Sequence, residues 1–315
     1  MPVDVSIVVP VYEEAASLDA LADEIRDTCE HSGLTFEVWL IDDGSRDRSW
    51  DVIDQLHAAD GRFAGVRFRR NYGKSAALMA GFARATGRVV VTMDADLQDD
   101  PAEIPALVGM IGSGLDLVSG WKTRRKDPLT KTFPSVFFNL VTRAVSGIRL
   151  HDFNCGLKAY RRDLIKSLRI YGEMHRYIPL LAKWAGYDRI GEMKVNHRLR
   201  RHGRSKFGVE RYVRGCLDLL TVTFLTRFGV RPMHFFGTWG LLAFLFGFGL
   251  SLWISVDKWV FGNPVGDRPA LLLGALLIMA GLLLMSTGFL AELIVRQRME
   301  EEAPYEVTVE MRRSE

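Results

Sequence analysis

Residues 88–96 read RVVVTMDAD, a hydrophobic run typical of a buried strand that ends in two carboxylates. The arrangement occurs twice more, in VSIVVPVYEE at residues 5–14 and in FEVWLIDDGS at residues 36–45. Each stretch predicts a strand with polar residues at its carboxyl end. The acidic residues at the three ends are Glu13, Glu14, Asp42, Asp43, Asp94 and Asp96.

Helical patterns separate these strands. Ser17 to Cys29, with Ser17 as the expected N-cap, follows the first strand, and residues 49–59 and 74–86 follow later ones. AGVRFRR (64–70) and LDLVSGW (115–121) are two further predicted strands. Strands that alternate with helices predict an α/β fold with a mainly parallel sheet. Ligands of such sheets lie beyond the carboxyl ends of the strands, where the acidic residues are.

The composition excludes several classes of protein. The 315 residues include 41 Lys+Arg and 38 Asp+Glu, so the formal charge is +3, and 48% of residues are hydrophobic. These values exclude disordered, collagen-like and low-complexity chains. Three cysteines without a C-x-x-C pair argue against a disulfide framework and a zinc site, and they favour a reducing compartment. The amino terminus lacks the pattern of a signal peptide.

Two uncharged stretches, 235–256 and 270–291, are each long enough to cross a bilayer. Two buried core helices are the alternative, which we disfavour because such helices seldom lack a polar face over this length. Arginines precede the first span and follow the second, whereas the connecting loop has only Lys258 and Arg268 as bases. The positive-inside bias therefore places both termini and the catalytic domain in the cytoplasm, at the inner membrane.

The predicted organisation has four parts. They are a catalytic domain (1–206), a juxtamembrane amphipathic helix (207–232), two transmembrane helices (233–295) and a cytoplasmic tail (296–315). Residues 133–148 form another amphipathic pattern, which suits either the domain's own core or the membrane interface. YEVTVEM (305–311) in the tail suits either a strand that pairs with a neighbouring protomer or a disordered end.

Asp94-Ala95-Asp96, followed by Gln98, is the main chemical signal. Two carboxylates in a tight turn can bind one hard divalent cation, Mg²⁺ or Mn²⁺, which would neutralise a leaving diphosphate. A lone D-x-D is more often a solvated turn. Its position at the end of a strand, with IDDGS nearby, favours the metal site.

Together the motifs VSIVVPVYEE, IDDGSRDRS, NYGKSAALMAGFARATG and MDADLQDDP resemble glycosyltransferase family 2, whose enzymes have a GT-A nucleotide-sugar fold. SGWKTRRKDP, DFNCGLKAYRRD and HRLRRHGRSKFG, followed by two spans, look like its polyprenyl-phosphate glycosyltransferases. The Gln-x-x-Arg-Trp signature of processive synthases is absent. The resemblance implies inverting, metal-dependent transfer of a sugar from a nucleotide sugar to a polyprenyl phosphate at the membrane. UDP-glucose is favoured as donor over GDP-mannose, and a dimer or tetramer is expected.

The resemblance also assigns roles by motif. It implies a nucleotide site at Pro10, Tyr12, Glu14, Asp43, Lys74, Asp94 and Gln98. Asp94 and Asp96 would hold the metal, and Asp96 and Asp152 would serve catalysis, Asp152 by orienting the nucleophile or the sugar, with Asn154 nearby. The acceptor phosphate is expected at Lys122, Arg125, Lys131, Arg200, Ser205 and Lys206. Which of these bases binds the phosphate stays open, because the family often has arginine where Lys122 stands.

Three other functions are weighed against this one. The nearest transfers a sugar to another membrane lipid or glycan. A non-catalytic membrane scaffold is disfavoured because it has no need of converging carboxylates. Nucleic acid binding by the basic run from Arg198 to Arg214 is disfavoured further, since the run precedes an amphipathic stretch and a span and suits anionic lipid better.

Overall fold

The computed structural model describes residues 3–122, 142–143, 147–198, 224, 228, 231–262 and 269–301. The chain divides into two units, Met1–Val222 and Thr223–Glu315. The described part of the first unit is an α/β domain, and that of the second is dominated by two long helices.

One sheet organises the first unit. Its strands are β1 (Val5–Val11), β2 (Phe36–Asp42), β3 (Phe63–Arg67), β4 (Val89–Thr92), β5 (Leu117–Lys122), β6 (Lys158–Arg161) and β7 (Ile190–Val195). The helices of this unit are α1 (Ala15–His31), α2 (Ser49–Ala59), α3 (Lys74–Arg84), α4 (Ile104–Gly112), α5 (Arg162–Ser167) and α6 (Ile178–Trp184). Two 3₁₀ turns, Pro101–Glu103 and Met174–Tyr177, precede α4 and α6.

The strand order is β3-β2-β1-β4-β6-β5-β7. Strands β1 to β4 pair in parallel, and β6 runs antiparallel to both of its neighbours, β4 and β5. Val11 of β1 lies opposite Asp42 of β2, and Val8 lies opposite Thr92 of β4. The carboxyl ends of the first, second and fourth strands therefore meet at one edge. The predicted α/β fold with a mainly parallel sheet is confirmed.

Hydrophobic side chains cover both faces of the sheet. Leu18, Leu21 and Ile25 of α1 pack on one face, and Leu78 and Phe82 of α3 pack on the other. Because the central strands β1 and β4 are buried on both faces, they read as nearly continuous hydrophobic runs rather than as alternating patterns.

The prediction that Ser17 caps the first helix is wrong. The helix begins at Ala15, with Glu14 at the N-cap position. Ser17 is buried within the first turn, where its hydroxyl donates to the carbonyl of Glu14 at 2.8 Å. The chain turns earlier than the pattern suggests because Glu13 takes a left-handed conformation, with φ of 56°.

The second unit contains α7 (Pro232–Phe261) and α8 (Pro269–Glu301). Both helices contain a span long and apolar enough to cross a membrane: the mean hydropathy of an 18-residue stretch is 1.8 within Pro232–Phe261 and 2.3 within Pro269–Val295. They pack through glycines. A Cβ on Gly247 would lie 2.6 Å from the carbonyl oxygen of Gly274, and one on Gly281 would lie 2.6 Å from that of Gly240. Small residues thus let the two backbones approach closely, as in membrane helix pairs.

Several predictions fall on residues outside the described ranges. The possible strand at 305–311 lies wholly outside them. The amphipathic stretches 133–148 and 207–232 lie almost wholly outside.

Candidate active site

The loops after β1, β2 and β4 border one cleft of about 650 Å³ at the carboxyl edge of the sheet. All seven residues predicted to bind the nucleotide line this cleft, together with the predicted metal ligand Asp96. They are Pro10, Tyr12, Glu14, Asp43, Lys74, Asp94 and Gln98. These residues span almost ninety positions of sequence, so the parallel strand order is what brings them together.

The loop after β1 is held by the loop after β2. The amide of Glu13 donates to the hydroxyl of Ser45 at 3.0 Å, and the amide of Glu14 donates to that of Ser49 at 3.1 Å. The left-handed conformation of Glu13 is uncommon for a residue with a side chain. Backbone strain of this kind concentrates at functional sites, and here it aims Tyr12 and Glu14 into the cleft.

Asp43 connects the end of β2 to the start of α3. Its two carboxylate oxygens accept hydrogen bonds from the amides of Tyr72 and Gly73, at 2.7 and 2.9 Å. Burial raises the pKa of Asp43, and these two hydrogen bonds oppose that effect. Gly73 has φ of 91°, a conformation that favours glycine, and Lys74 follows it as the first residue of α3.

The acidic turn after β4 is internally braced. Leu97 takes φ of 60°, and the amide of Gln98 donates to the Asp96 carboxylate at 3.2 Å. Beneath it, buried Asp99 accepts from the amide of Asp94 at 3.2 Å and forms an ion pair with Lys122 at 2.9 Å. The turn is therefore supported by a buried charge pair rather than left to solvent.

Asp94 lies between the ammonium group of Lys74 and the backbone of Gly156. Its carboxylate forms an ion pair with the ammonium of Lys74. Burial alone raises the pKa of Asp94, but the positive charges of Lys74 and Lys122 outweigh it, so that the pKa is lowered. On the other side lies Gly156, where a Cβ would come 2.5 Å from an oxygen of Asp94. The missing side chain of Gly156 makes room for the carboxylate.

The residues present fit a divalent cation that is shared with a ligand. Two carboxylates, those of Asp94 and Asp96, line the cleft within one turn, together with Gln98, whose side-chain carbonyl oxygen can also bind a cation. Among the described residues there is no cluster of three or more His, Cys, Asp or Glu that could hold a metal alone. Mg²⁺ is commonly bound in this way, by one or two carboxylates together with the phosphates of a substrate.

Asp152 lies beneath the surface of the cleft, and Asn154 lines it. The carboxylate of Asp152 accepts from the amide of Asn154 at 3.0 Å, and its own amide donates to Glu192 at 3.1 Å. The structure therefore places Asp152 as a brace of the loop that carries Asn154. Its predicted catalytic role stays a prediction.

Of the six residues expected to bind the acceptor phosphate, only Lys122 is described. Burial lowers the pKa of Lys122, but the neighbouring negative charge of Asp99 outweighs it, and the pKa is raised. Lys122 is thus a cation with a carboxylate partner. The other five, which are Arg125, Lys131, Arg200, Ser205 and Lys206, lie outside the described residues.

The inner wall of the cleft consists of residues that sequence reasoning missed. They are Gly156, Lys158, Glu173, His175 and Arg176. Burial lowers the pKa of His175 well below its usual range, with Lys74 and Arg176 adding to the effect, so this imidazole is neutral at pH 7. Asp99 was also missed, although it belongs to the acidic run that begins at Asp94. The segment around His175 had no sequence signal, because it is an irregular connection between two elements.

Cys155 also lines the cleft, and it is buried. Burial raises the pKa of its thiol to about 12. The thiol is therefore protonated at neutral pH and packs as a small side chain rather than acting as a nucleophile.

The sequence of this domain matches the model of one family, described as glycosyl transferase family 2, over residues 6–169. The chain is a family 2 glycosyltransferase. It is 38% identical over 304 residues to the dodecaprenyl-phosphate galacturonate synthase of Rhizobium johnstonii, covering 95% of this chain and 90% of that protein. It is 37% identical to the undecaprenyl-phosphate 4-deoxy-4-formamido-L-arabinose transferase of Pseudomonas paraeruginosa, covering 94% and 86% of the two chains.

Solved structures share the fold of this transferase. One is the glucosyl-3-phosphoglycerate synthase of Mycobacterium tuberculosis, solved with Mn²⁺, UDP and glucosyl-3-phosphoglycerate. It superposes with a TM-score of 0.54 at 24% identity, and the match covers 72% of this chain and 80% of the synthase. The mannosyl-3-phosphoglycerate synthase of Rubrobacter xylanophilus gives 0.58 at 16% identity, covering 70% and 74%. The predicted family and GT-A-type fold are confirmed.

Proposed function

We propose that this transferase moves a sugar from a nucleotide sugar to a polyprenyl phosphate, with inversion at the anomeric carbon and with the help of Mg²⁺ or Mn²⁺. The observation that carries the proposal is the single cleft in which Asp43, Asp94 and Asp96 converge. The relatives described above support the acceptor, since both are named for transfer to a polyprenyl phosphate and both cover almost the whole chain.

The nucleotide is proposed to occupy the side of the cleft formed by the loops after β1 and β2. Tyr12 and Glu14 line it there, and Asp43 lies at the end of β2, where a carboxylate can accept from the N–H group of a base. The diphosphate then reaches the acidic turn, where a bound divalent cation would neutralise the charge that develops on the leaving group. Lys74 supplies a second positive charge at the same place.

The acceptor needs little activation. A phosphate monoester has its second pKa near ~6, so it is largely dianionic at neutral pH. We therefore assign most of the rate to positioning and to electrostatic stabilisation rather than to a strong general base. Asp152 contributes by holding the loop of Asn154 at the cleft, through the hydrogen bond described above.

The acceptor phosphate is proposed to bind to the basic residues of two segments. One begins at Lys122, and the other follows Arg198. The amide of Arg198 donates to the carbonyl of Gln98 at 3.0 Å, so the second segment starts beside the acidic turn. Arg200, Ser205 and Lys206 follow within eight residues of this point.

The two apolar helices are proposed to anchor the enzyme in the inner membrane, with both termini in the cytoplasm. This places the catalytic domain on the side where nucleotide sugars are made, while the lipid tail of the acceptor stays in the bilayer. Trp253 and Trp259 are exposed on α7, as interfacial aromatic residues are.

The test combines donor and acceptor in one experiment. Purified protein is incubated with undecaprenyl phosphate, Mn²⁺ or Mg²⁺, and one labelled nucleotide sugar at a time, and label is extracted into organic solvent. The panel starts with UDP-glucose, which the sequence favours, and includes UDP-galacturonate, a UDP-formamido-arabinose and GDP-mannose. Transfer from one donor that EDTA and Asp96→Ala abolish supports the proposal. No labelled lipid from any donor refutes the acceptor, and other membrane lipids are then tested.

A further inference from the structure

The cleft contains a cation that belongs to the chain itself, at one of the carboxylates proposed to bind metal. The ammonium of Lys74 forms an ion pair with Asp94. Among the ion pairs of the described residues, this is the one in which Asp94 takes part. The neighbouring Lys122 pairs instead with Asp99, at 2.9 Å. Lys74 is therefore the cation in direct contact with Asp94, and Lys122 acts on it from farther away.

The backbone before Lys74 is held in place, whereas the side chain can move. Hydrogen bonds from the amides of Tyr72 and Gly73 to Asp43 fix the start of α3. The backbone of Lys74, the first residue of α3, therefore has a defined position beside the acidic turn. The side chains of Lys74 and Asp94 are 31% and 36% exposed. The ammonium can thus leave Asp94 by a rotation of its own side chain, with no change in the core.

An ammonium and a divalent cation repel each other, and they compete for the same carboxylate. Metal alone has to displace Lys74 from Asp94 and leave it beside an added double positive charge. A nucleoside diphosphate removes this conflict, because its phosphate oxygens can take both the metal and the displaced ammonium.

We infer that Lys74 is an internal counter-ion that occupies Asp94 in the metal-free enzyme, so that the divalent cation binds tightly only together with the nucleotide diphosphate. The inference rests on the proposed function and specifies the order in which its ligands bind. Lys74 then has two partners in turn, the Asp94 carboxylate before the nucleotide binds and the diphosphate afterwards. Because the coupling is reciprocal, the metal also tightens the binding of the nucleotide.

The test measures Mn²⁺ binding rather than catalysis. Full-length protein in detergent is titrated with Mn²⁺ by calorimetry or by the electron paramagnetic resonance of free Mn²⁺, with and without UDP. Wild type is expected to bind Mn²⁺ about tenfold more tightly with UDP than without it. Lys74→Met is expected to bind Mn²⁺ alone about tenfold more tightly than wild type, so that the further gain in Mn²⁺ affinity on adding UDP is smaller than in wild type. Lys194→Met is the matched control, because Lys194 is exposed and does not line the cleft.

The outcomes separate the inference from the proposed function. If Lys74→Met, with an unchanged thermal midpoint, binds Mn²⁺ alone no more tightly than wild type, the counter-ion role is overturned while the metal site stands. If wild type with UDP binds no Mn²⁺, or binds it equally well after Asp94→Asn and after Asp96→Ala, the metal-dependent mechanism fails as well. Lys74→Arg keeps the positive charge, and it should keep the dependence of Mn²⁺ binding on UDP.

Discussion

Replacing Gly156 with alanine tests whether Asp94 must lie where the structure puts it. The added Cβ would come 2.5 Å from one carboxylate oxygen of Asp94 and 3.0 Å from the other. Ordinary contacts begin at 3.4 Å, so the carboxylate has to retreat by about 0.9 Å. It can do so into the cleft, because its side chain is 36% exposed. The cost should therefore appear in function rather than in folding.

A displacement of about 1 Å of a group that positions a substrate can lower the rate roughly 10²-fold, which corresponds to ~2.7 kcal/mol of transition-state stabilisation. We expect kcat/KM of Gly156→Ala in the lipid-extraction assay to fall by about this factor. Mn²⁺ affinity in the presence of UDP should fall too. The thermal midpoint should stay within ~2 °C of wild type.

Gly109→Ala is the matched control, since a Cβ at that helical position meets nothing within 4 Å. It should keep full activity and gain slightly in stability, as alanine does over glycine inside a helix. Activity of Gly156→Ala within threefold of wild type, at unchanged Mn²⁺ affinity, would refute the reasoning. Asp94 would then tolerate a shift that a metal ligand at the leaving diphosphate should not.

Three further predictions concern other parts of the chain. Gly247→Val should destabilise the helix pair in detergent, because the added Cβ would lie 2.6 Å from the carbonyl oxygen of Gly274. Gly249→Val should not, because a Cβ there meets nothing within 4 Å, and thermal unfolding of the two variants in detergent tests this difference. Asp60→Asn should lower the thermal midpoint by ~2–4 °C at pH 7, or about 1 kcal/mol, because hydrogen bonds from Arg62 lower the pKa of Asp60 to about 2, against burial. A lowered pKa stabilises the fold above the unfolded value of 3.8, so the gap between variant and wild type should close as the pH falls from about 4 to about 2, and a constant gap would contradict this origin. Asp43→Asn should raise KM for the nucleotide sugar about tenfold with a smaller effect on kcat, and an unchanged KM would remove Asp43 from the nucleotide site.

The fold was predictable because its signal is local and repeated. The parallel strands β1, β2 and β4 are hydrophobic runs followed by acids, and they place their carboxyl ends at one edge. That rule predicts a cleft bordered by Glu14, Asp43, Asp94 and Asp96, whereas the expected roles in nucleotide and metal binding came from the family resemblance. The predicted N-cap at Ser17 was wrong for a local reason. A serine near the start of a helix can cap the helix or, as Ser17 does, donate a hydrogen bond to a carbonyl one turn earlier.

The inner wall of the cleft was not predictable in this way. Lys158 lies on the antiparallel strand β6, and His175 and Arg176 lie in the 3₁₀ turn before α6. These residues reach the site only through tertiary packing, such as the contact of 3.1 Å between Ser75 of α3 and the ring of His175, one hundred positions away. No spacing in the sequence encodes such a pair.

The two ion pairs at the acidic turn, Asp99–Lys122 and Asp94–Lys74, differ in how deeply they are buried. Asp99 is buried and forms an ion pair with Lys122, whose side chain is 14% exposed, so this pair supports the turn. Asp94 is partly exposed, and so is its partner Lys74, at 36% and 31% of the two side chains. A partly exposed ion pair stabilises a fold by little, so exchange of its partners costs the fold little stability. The difference between the two pairs supports the inference that Lys74 leaves Asp94 when metal and nucleotide bind, and the dependence of Mn²⁺ affinity on UDP is the measurement that tests it.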